Sequence, residues 1–421
     1  MAFFAALLAL VFAASIAAQE ENSPEASLDW DIDTIFDQPS DEIPGEEKTE
    51  GITQVSSAPV NLMSRRGYTF NASFRFVAGF LPGWDQAPWH FDGDQHYSTN
   101  PSVRMRSTFS INAQISEVLS VKTSLYFTIP SFAIRLDDFF FDYSLYETVF
   151  LRGGKFGLSW GISRNYNFAN LISRIPDKKY NRAPFLLKAD IPFGIGGFQF
   201  VTLTRANLMG GRTPAREDFA YGGKYNLAHP LFDADIGIFY QEGMDLRSFM
   251  SIKTTLWDFE LYNEYLGAFD IEGNSGFSGA VNLGIAREFF DRKFSVNAEI
   301  FYNAERNAMW FSPETDLKDS EIFSFLEGFN LALNLLYRVG GKGNPRLFVQ
   351  TLYAIEQDSA RLIPGFRLSP WQHVDLYFAV PMSLGSKEGY YYLHNEDPRN
   401  RPFSVVLLAT IRGSVRSAHY Q

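Results

Sequence analysis

The sequence predicts an all-β chain: a closed, antiparallel transmembrane barrel of about 16 to 18 strands behind a disordered acidic leader. Three observations carry this. Apolar residues alternate with polar ones at a period of two from residue 66 to about residue 415. The even-numbered connections between these ribbons are tight, while the odd-numbered ones are long or, at the third, ninth, eleventh and fifteenth, of medium length. Aromatic residues reach 16% of the 421 residues, with 41 Phe and 20 Tyr, yet after residue 18 no apolar run approaches a membrane-spanning helix.

The chain starts with "MAFFAALLALVFAASIAAQE", an apolar segment ending in small residues, with Ser15 and Ala17 spaced as in a signal-peptidase site. Residues 1–18 are therefore expected to be a signal peptide, and the protein to be exported. The formal charge of -11 has a single origin: residues 19–50 hold 12 Asp or Glu against one Lys, which leaves 36 acidic and 36 basic side chains for residues 51–421. With "NSPEAS" and "QPSDEIPGEE", residues 19–65 have too little apolar surface to fold and are expected to form a disordered periplasmic leader. Within it, "DWDIDTIFDQP" sets Trp30, Ile32, Ile35 and Phe36 among acids, which suits either a docking peptide for a periplasmic partner or a solvated spacer. Cysteine is absent, so disulfides and thiolate metal sites are excluded.

The barrel, expected over residues 66–421, begins with "GYTFNASFRFVAGF". Tyr68, Phe70, Ala72, Phe74, Phe76, Ala78 and Phe80 share one face; Thr69, Asn71, Ser73 and Arg75 share the other. Residues 103–115 repeat the pattern with Val103, Met105, Phe109, Ile111, Ala113 and Ile115 against Arg104, Arg106, Thr108, Ser110, Asn112 and Gln114. Residues 119–129 follow, and later come "FSVNAEIFY", "FNLALNLLYR", "HVDLYFAV" and "FSVVLLATIR". Long connections are expected at 81–102, 161–182, 205–217, 305–325 and 385–402. The even-numbered ones, such as "SEV" at 116, "GIGG" at 194 and "FDRK" at 290, are tight turns. In hydrocarbon every backbone N–H and C=O needs a partner, so strands cross only as a closed barrel with one face in lipid.

This combination of period-two ribbons, an even strand number and long connections on one side only resembles the outer-membrane β-barrel proteins, in particular the porins. The resemblance implies termini in the periplasm, contact with outer-membrane lipid, delivery by the barrel insertion machinery, passage of small hydrophilic solutes, and a homotrimer or a monomer. The last strand departs from that family: it ends "SVRSAHYQ", with Tyr420 next to last, where such proteins commonly finish on an aromatic. A two-sheet sandwich would alternate too, but eighteen ribbons would split it into two domains, and no linker follows residue 66.

With the apolar face in lipid, the other face lines the interior. A basic arc is expected from Arg75, Arg104, Arg106, Lys122, Arg338, Arg346, Arg361, Arg367 and Arg412, with Asp375 as its main acid. Opposite it, Asp235, Glu260, Glu264 and Glu299 form an expected acidic arc, with Lys253 as an exception; Asp138, Asp142, Lys188 and Asp190 fit neither. Such a transverse field orients dipolar solutes, and arginine's fork suits carboxylate or phosphate. By the same resemblance the third outer loop, "ISRNYNFANLISRIPDKKYNR", is the candidate constriction, carrying Arg164, Arg174, Lys178, Lys179 and Arg182. A closed or plugged barrel serving as adhesin or polymer export port is the second reading.

No enzyme chemistry is expected. "GDQHYSTN" is similar to an element of outer-membrane phospholipase, with His96 and Ser98 as base and nucleophile, but Thr99 interrupts it and no orienting Asn follows. The other histidines form no metal-binding motif, no glycine-rich phosphate loop is present, and cofactors and catalytic metals have no support. The neutral body carries no basic patch interleaved with aromatics, which excludes nucleic acid as a partner.

Overall fold

The computed structural model describes residues 67–84, 86, 97–166, 171–172, 184–204, 214–241, 245–269, 277–304, 328–340, 343–386 and 402–420. The expected signal peptide, the acidic leader and the expected loop residues Arg174, Lys178, Lys179 and Arg182 lie outside them.

One sheet contains all twenty strands. In chain order they are β1 (Gly67–Trp84), β2 (Tyr97–Ser116), β3 (Leu119–Ile129), β4 (Ala133–Leu145), β5 (Val149–Lys155), β6 (Phe185–Phe193), β7 (Gly196–Thr204), β8 (Phe219–His229), β9 (Phe232–Gln241) and β10 (Leu246–Leu256). Then follow β11 (Phe259–Phe269), β12 (Phe277–Phe289), β13 (Phe294–Asn303), β14 (Gly328–Arg338), β15 (Arg346–Ala354), β16 (Ser359–Trp371), β17 (Val374–Ala379), β18 (Met382–Gly385), β19 (Phe403–Ser404) and β20 (Val406–Tyr420). β17 and β18 both pair along β16, and β19 and β20 both run along β1, so the wall has eighteen staves. The breaks fall at Val380–Pro381 and Val405. Proline has no N–H to give the ladder, and backbone bonds from Val380 to Pro364 and from Val405 to Pro82 carry each stave across its gap.

Every neighbouring pair is antiparallel. β1 closes the ring by pairing with β20 from Gly67↔Tyr420 to Phe80↔Leu407. No sheet edge is left, as a strand-built membrane protein requires. The first residue of β1 and the last of β20 therefore sit together at the end that carries the tight turns, such as Trp257-Asp258 between β10 and β11. Both of these residues take positive φ, 50° and 65°, as a two-residue turn matched to the strand twist needs.

The two faces separate as the alternation requires. Tyr68, Phe74 and Val103 are 53, 43 and 59% exposed on the outer wall, while inward neighbours such as Phe140 and Phe348 are buried. With nowhere to bury its outer rings but lipid, this is a closed antiparallel transmembrane barrel. Among the described residues, no helix is long and apolar enough to cross a membrane.

Two boundaries differ from the sequence expectation. β1 and β2 stay paired through Trp84↔Tyr97, so the first connection covers 85–96, and Tyr97–Asn100 of the phospholipase-like stretch are strand. Pro82, Gly83 and Pro101 hide the alternation there, but backbone pairing does not need it. β5 ends at Lys155, six residues before the expected start of the third loop. Gly154, at φ 135°, is placed where a Cβ would stand 2.1 Å from the carbonyl oxygen of Phe139, a fit open to glycine alone.

A candidate solute path and the loop that narrows it

Beyond Lys155 the chain turns into the barrel. Phe156 packs on Phe140, with ring centroids 5.5 Å apart. Trp160 is 1% exposed, lies 5.1 Å from Phe249 and donates its indole N–H to Gln199 at 2.7 Å. Together with Leu186, Val201, Phe239, Leu266 and Phe301 these side chains form an apolar core inside the barrel, on the half built by β4 to β13. The burial of Phe156 and Trp160 was not legible from period two, because these residues follow the strand.

The next residues are pinned by two carboxylates. Glu264, 0% exposed on β11, accepts from the Ile162 N–H and from the Ser163 hydroxyl, and that hydroxyl accepts from Asn282 at 2.7 Å. Glu299, 1% exposed on β13, accepts from the backbone N–H groups of Arg164 at 2.7 Å, Asn165 at 3.1 Å and Tyr166 at 3.1 Å, and from the Tyr262 hydroxyl at 2.6 Å. Asn297 donates to that hydroxyl, Asn165 bridges Asn297 and Asn334, and Tyr166 stacks on Phe301 at 5.0 Å. A buried carboxylate costs several kcal/mol unless donors surround it, and here the loop backbone supplies them. Tyr262 reaches Glu299 across Gly284, where a Cβ would stand 2.1 Å from the Tyr262 ring.

The expected acidic arc is thus corrected. All four residues lie on the inner face, but Glu264 and Glu299 are covered by the loop and present no open acidic wall. Asp235 is buried against Lys224 at 2.7 Å. Only Glu260 stays half exposed, bridging Arg164 of the loop at 2.7 Å and Lys253 at 3.1 Å. A carboxylate covered by a loop loses its water and is tolerated only where protein donors replace it, which the backbone N–H groups of residues 162–166 do here.

The basic residues form a different pattern. Arg75 on β1 is the direct cross-strand partner of Arg106 on β2 and of Arg412 on β20. Arg346, the first residue of β15, is the direct partner of Arg338 on β14 and of Arg367 on β16. These are two rungs of three arginines in register. Asp375 joins them, bonding the Arg412 guanidinium and standing 3.4 Å from that of Arg367, with Ser369 donating at 2.5 Å. Arg361 donates to Ser383 at 3.1 Å, and Arg104 shares the inner face of β2 two residues from Arg106. Arg416, which the sequence reading passed over, extends the row one inward position beyond Ser414.

Toward β3 to β6 the cations meet acids. Arg106 reaches Asp137 at 3.2 Å and lies 4.2 Å over the Tyr126 ring; Lys122 reaches Asp138 at 3.5 Å, Arg152 reaches Asp142 at 2.6 Å, and Lys188 reaches Asp190 at 2.6 Å. Of the residues that fitted neither arc, Lys188 and Asp190 are mutual partners, Asp138 pairs with Lys122 at the arc's edge, and Asp142 pairs with Arg152. On β1, β15, β17 and β20, Phe348 and Tyr377 stack at 5.3 Å within a second apolar cluster with Leu81 and Val406. His96 lies outside the described residues, and Ser98 is a strand residue opposite Gly83. Among the described residues, no group of His, Cys, Asp or Glu is placed to hold a metal ion.

The chain is thus a closed antiparallel barrel of eighteen staves with a polar inner wall and a connecting segment after β5 folded inward. Solved structures share this fold: OpdO of Pseudomonas aeruginosa, at 10% identity and a TM-score of 0.53, matches over 83% of this chain and 97% of its own. OpdQ of the same organism, at 7% identity and 0.53, covers 83 and 98%, and OccAB4 of Acinetobacter baumannii, at 10% and 0.50, covers 82 and 98%. No protein-family model matches the chain, and no curated protein matches it.

Proposed function

We propose that the protein is an outer-membrane channel for passive diffusion of small hydrophilic solutes, with a preference for anions. The observation that carries the preference is the pair of arginine rungs. Like charges directly opposite on neighbouring strands are destabilising, so a wall built of them is a costly choice for structure alone. A carboxylate or phosphate passing between the rungs is met by forks of fixed charge and exchanges part of its hydration for charged donors. The acid side does not compete, because its carboxylates are spent on the loop. The path then runs between the loop, with Arg164, Glu260 and Lys253 at its surface, and the arginine wall. No covalent step and no cofactor is involved.

Conductance in planar bilayers tests this. The expected result is stable, water-wide steps with anion selectivity, and a shift of the reversal potential toward cations in Arg104→Glu with Arg106→Glu. An unshifted potential would make the arginine wall ornamental. Silence of the folded barrel would favour the plugged adhesin or export port, which the apolar filling around Trp160 also suits.

A further inference from the structure

The outer wall departs from its apolar rule on β12. Among the described residues, the lipid-facing positions of β10 to β14 carry a single charged side chain, Arg287. Its direction follows from its neighbours. Ala286 is buried inside the barrel and Glu288 reaches Arg338 of the inner face at 3.5 Å, while Leu283 and Ile285 are exposed on the outside. A charge on this face is penalised steeply at the middle of the bilayer and little near its edge. Arg287 stands two residues before the end of β12 at Phe289, roughly 7 Å of strand from the turn that follows. From there a long cationic side chain reaches the headgroup layer.

The surroundings hold the guanidinium without closing on it. The rings of Phe259 and Phe289, edge to face at 82°, have their centroids 4.4 and 4.8 Å from its central carbon. Nε is buried and has no hydrogen-bond partner among the described residues. The acid beside it, Asp258 in the turn between β10 and β11, stands 3.8 Å away, beyond hydrogen-bond range, and its side chain is 87% exposed. A cation and an anion thus stand side by side, not hydrogen-bonded to each other, on a wall that meets lipid. Trp257 and Phe290, in the turns before β11 and after β12, are exposed beside them, as rings at a membrane interface are.

We propose that Arg287 and Asp258 form a binding site for one zwitterionic phospholipid headgroup, the guanidinium taking the phosphate and the carboxylate taking the headgroup ammonium. The proposal rests on the transmembrane barrel and not on the channel reading. Each half of the pair selects. The guanidinium fork matches two phosphate oxygens with parallel N–H donors. A headgroup with a negative charge alone is repelled by Asp258 and one with a positive charge alone by Arg287, while a headgroup carrying both satisfies the two at once. Acyl chains on the same ligand lie along the apolar staves below, which free phosphate lacks, so the source is a membrane lipid.

The test uses the full chain in detergent and counts the lipid retained per barrel by native mass spectrometry. The probes are phosphatidylethanolamine, phosphatidylglycerol and diacylglycerol with identical chains. The unmodified protein should retain phosphatidylethanolamine about tenfold or more over diacylglycerol, as a charged hydrogen-bonded contact gives. Arg287→Leu should abolish that preference. Asp258→Asn should keep phosphate-dependent binding but erase the preference for phosphatidylethanolamine over phosphatidylglycerol. Arg292→Gln, which removes a neighbouring cation paired with Glu288, should change neither. The three probes on the unmodified chain decide the matter without any variant: equal retention of phosphatidylethanolamine and diacylglycerol would overturn the proposal. Unchanged retention in Arg287→Leu would overturn it too, and so would a fall in oligomeric state in that variant, which would give this face to a second copy of the chain.

Discussion

Both walls of the lumen are rich in ionisable side chains, and they use them in opposite ways. On β9 to β13 three carboxylates are buried and each has a protein donor: Glu264 and Glu299 hold the backbone of residues 162–166, and Asp235 holds Lys224. On β14 to β2 the arginines stand opposite their own kind, with Asp375 shared between Arg367 and Arg412, Glu288 beside Arg338 and Asp137 beside Arg106. One wall has converted charge into loop position. The other sets arginines directly opposite one another across neighbouring strands. Charge density is thus a poor guide to function until the partners are known, and the presence or absence of opposite charge in register is the better one.

The comparison breaks most easily on the acid side. Glu299→Leu would leave the N–H groups of Arg164, Asn165 and Tyr166 and the Tyr262 hydroxyl without their acceptor, at about 1–3 kcal/mol for each buried group left unpaired. The loop should leave the wall, and single-channel conductance should rise about twofold or more. A conductance equal to that of the unmodified protein would show that the loop is held by its apolar anchors alone.

Next in size is the exchange of Lys224 or Asp235 for Ala. Both side chains are about nine-tenths buried, at 11 and 10% exposure, so removing one partner strands a charge, at about 3–5 kcal/mol. Thermal unfolding in detergent should move down by several degrees for either single variant and by less for the double. A double variant as unstable as the sum of the singles would mean the two do not interact.

Asp375→Asn sharpens the other wall. It removes the one acid between the rungs, so the anion-to-cation permeability ratio should rise about twofold, while the mutual repulsion of Arg367 and Arg412 lowers stability. The smallest expected effect belongs to Lys253→Gln. Its ion pair with Glu260 is 40 and 26% exposed and is worth about 0.2–1 kcal/mol, so conductance and stability should be unchanged within error.

The sequence made the barrel legible because lipid on one side and water on the other leave a period of two in nearly every stave, and because closure requires partners for each edge. The inner position of Arg75, Arg106, Arg346 and Arg412 followed from the same period. Their alignment did not, since register depends on turn lengths and on bulges such as those at Asp137 and Ile115. Nor could period two show that Glu264 and Glu299 would be covered. What covers them is a segment with no alternation, held by backbone N–H groups that every residue possesses. The inward amides Asn282, Asn297 and Asn334 were a usable signal, since uncharged amides recurring at inner positions on β12 to β14 indicate a surface that hydrogen-bonds to protein rather than to water alone.

The division of labour between the walls is tested most directly by reversal potential and conductance measured on the same channels under a salt gradient, for two matched double variants. Arg75→Gln with Arg412→Gln should lose anion selectivity several-fold at nearly constant conductance. Glu264→Gln with Glu299→Gln should raise conductance with selectivity for anions retained. If the arginine variant instead keeps its selectivity while the glutamate variant loses it, the roles assigned to the two walls are reversed and the account fails.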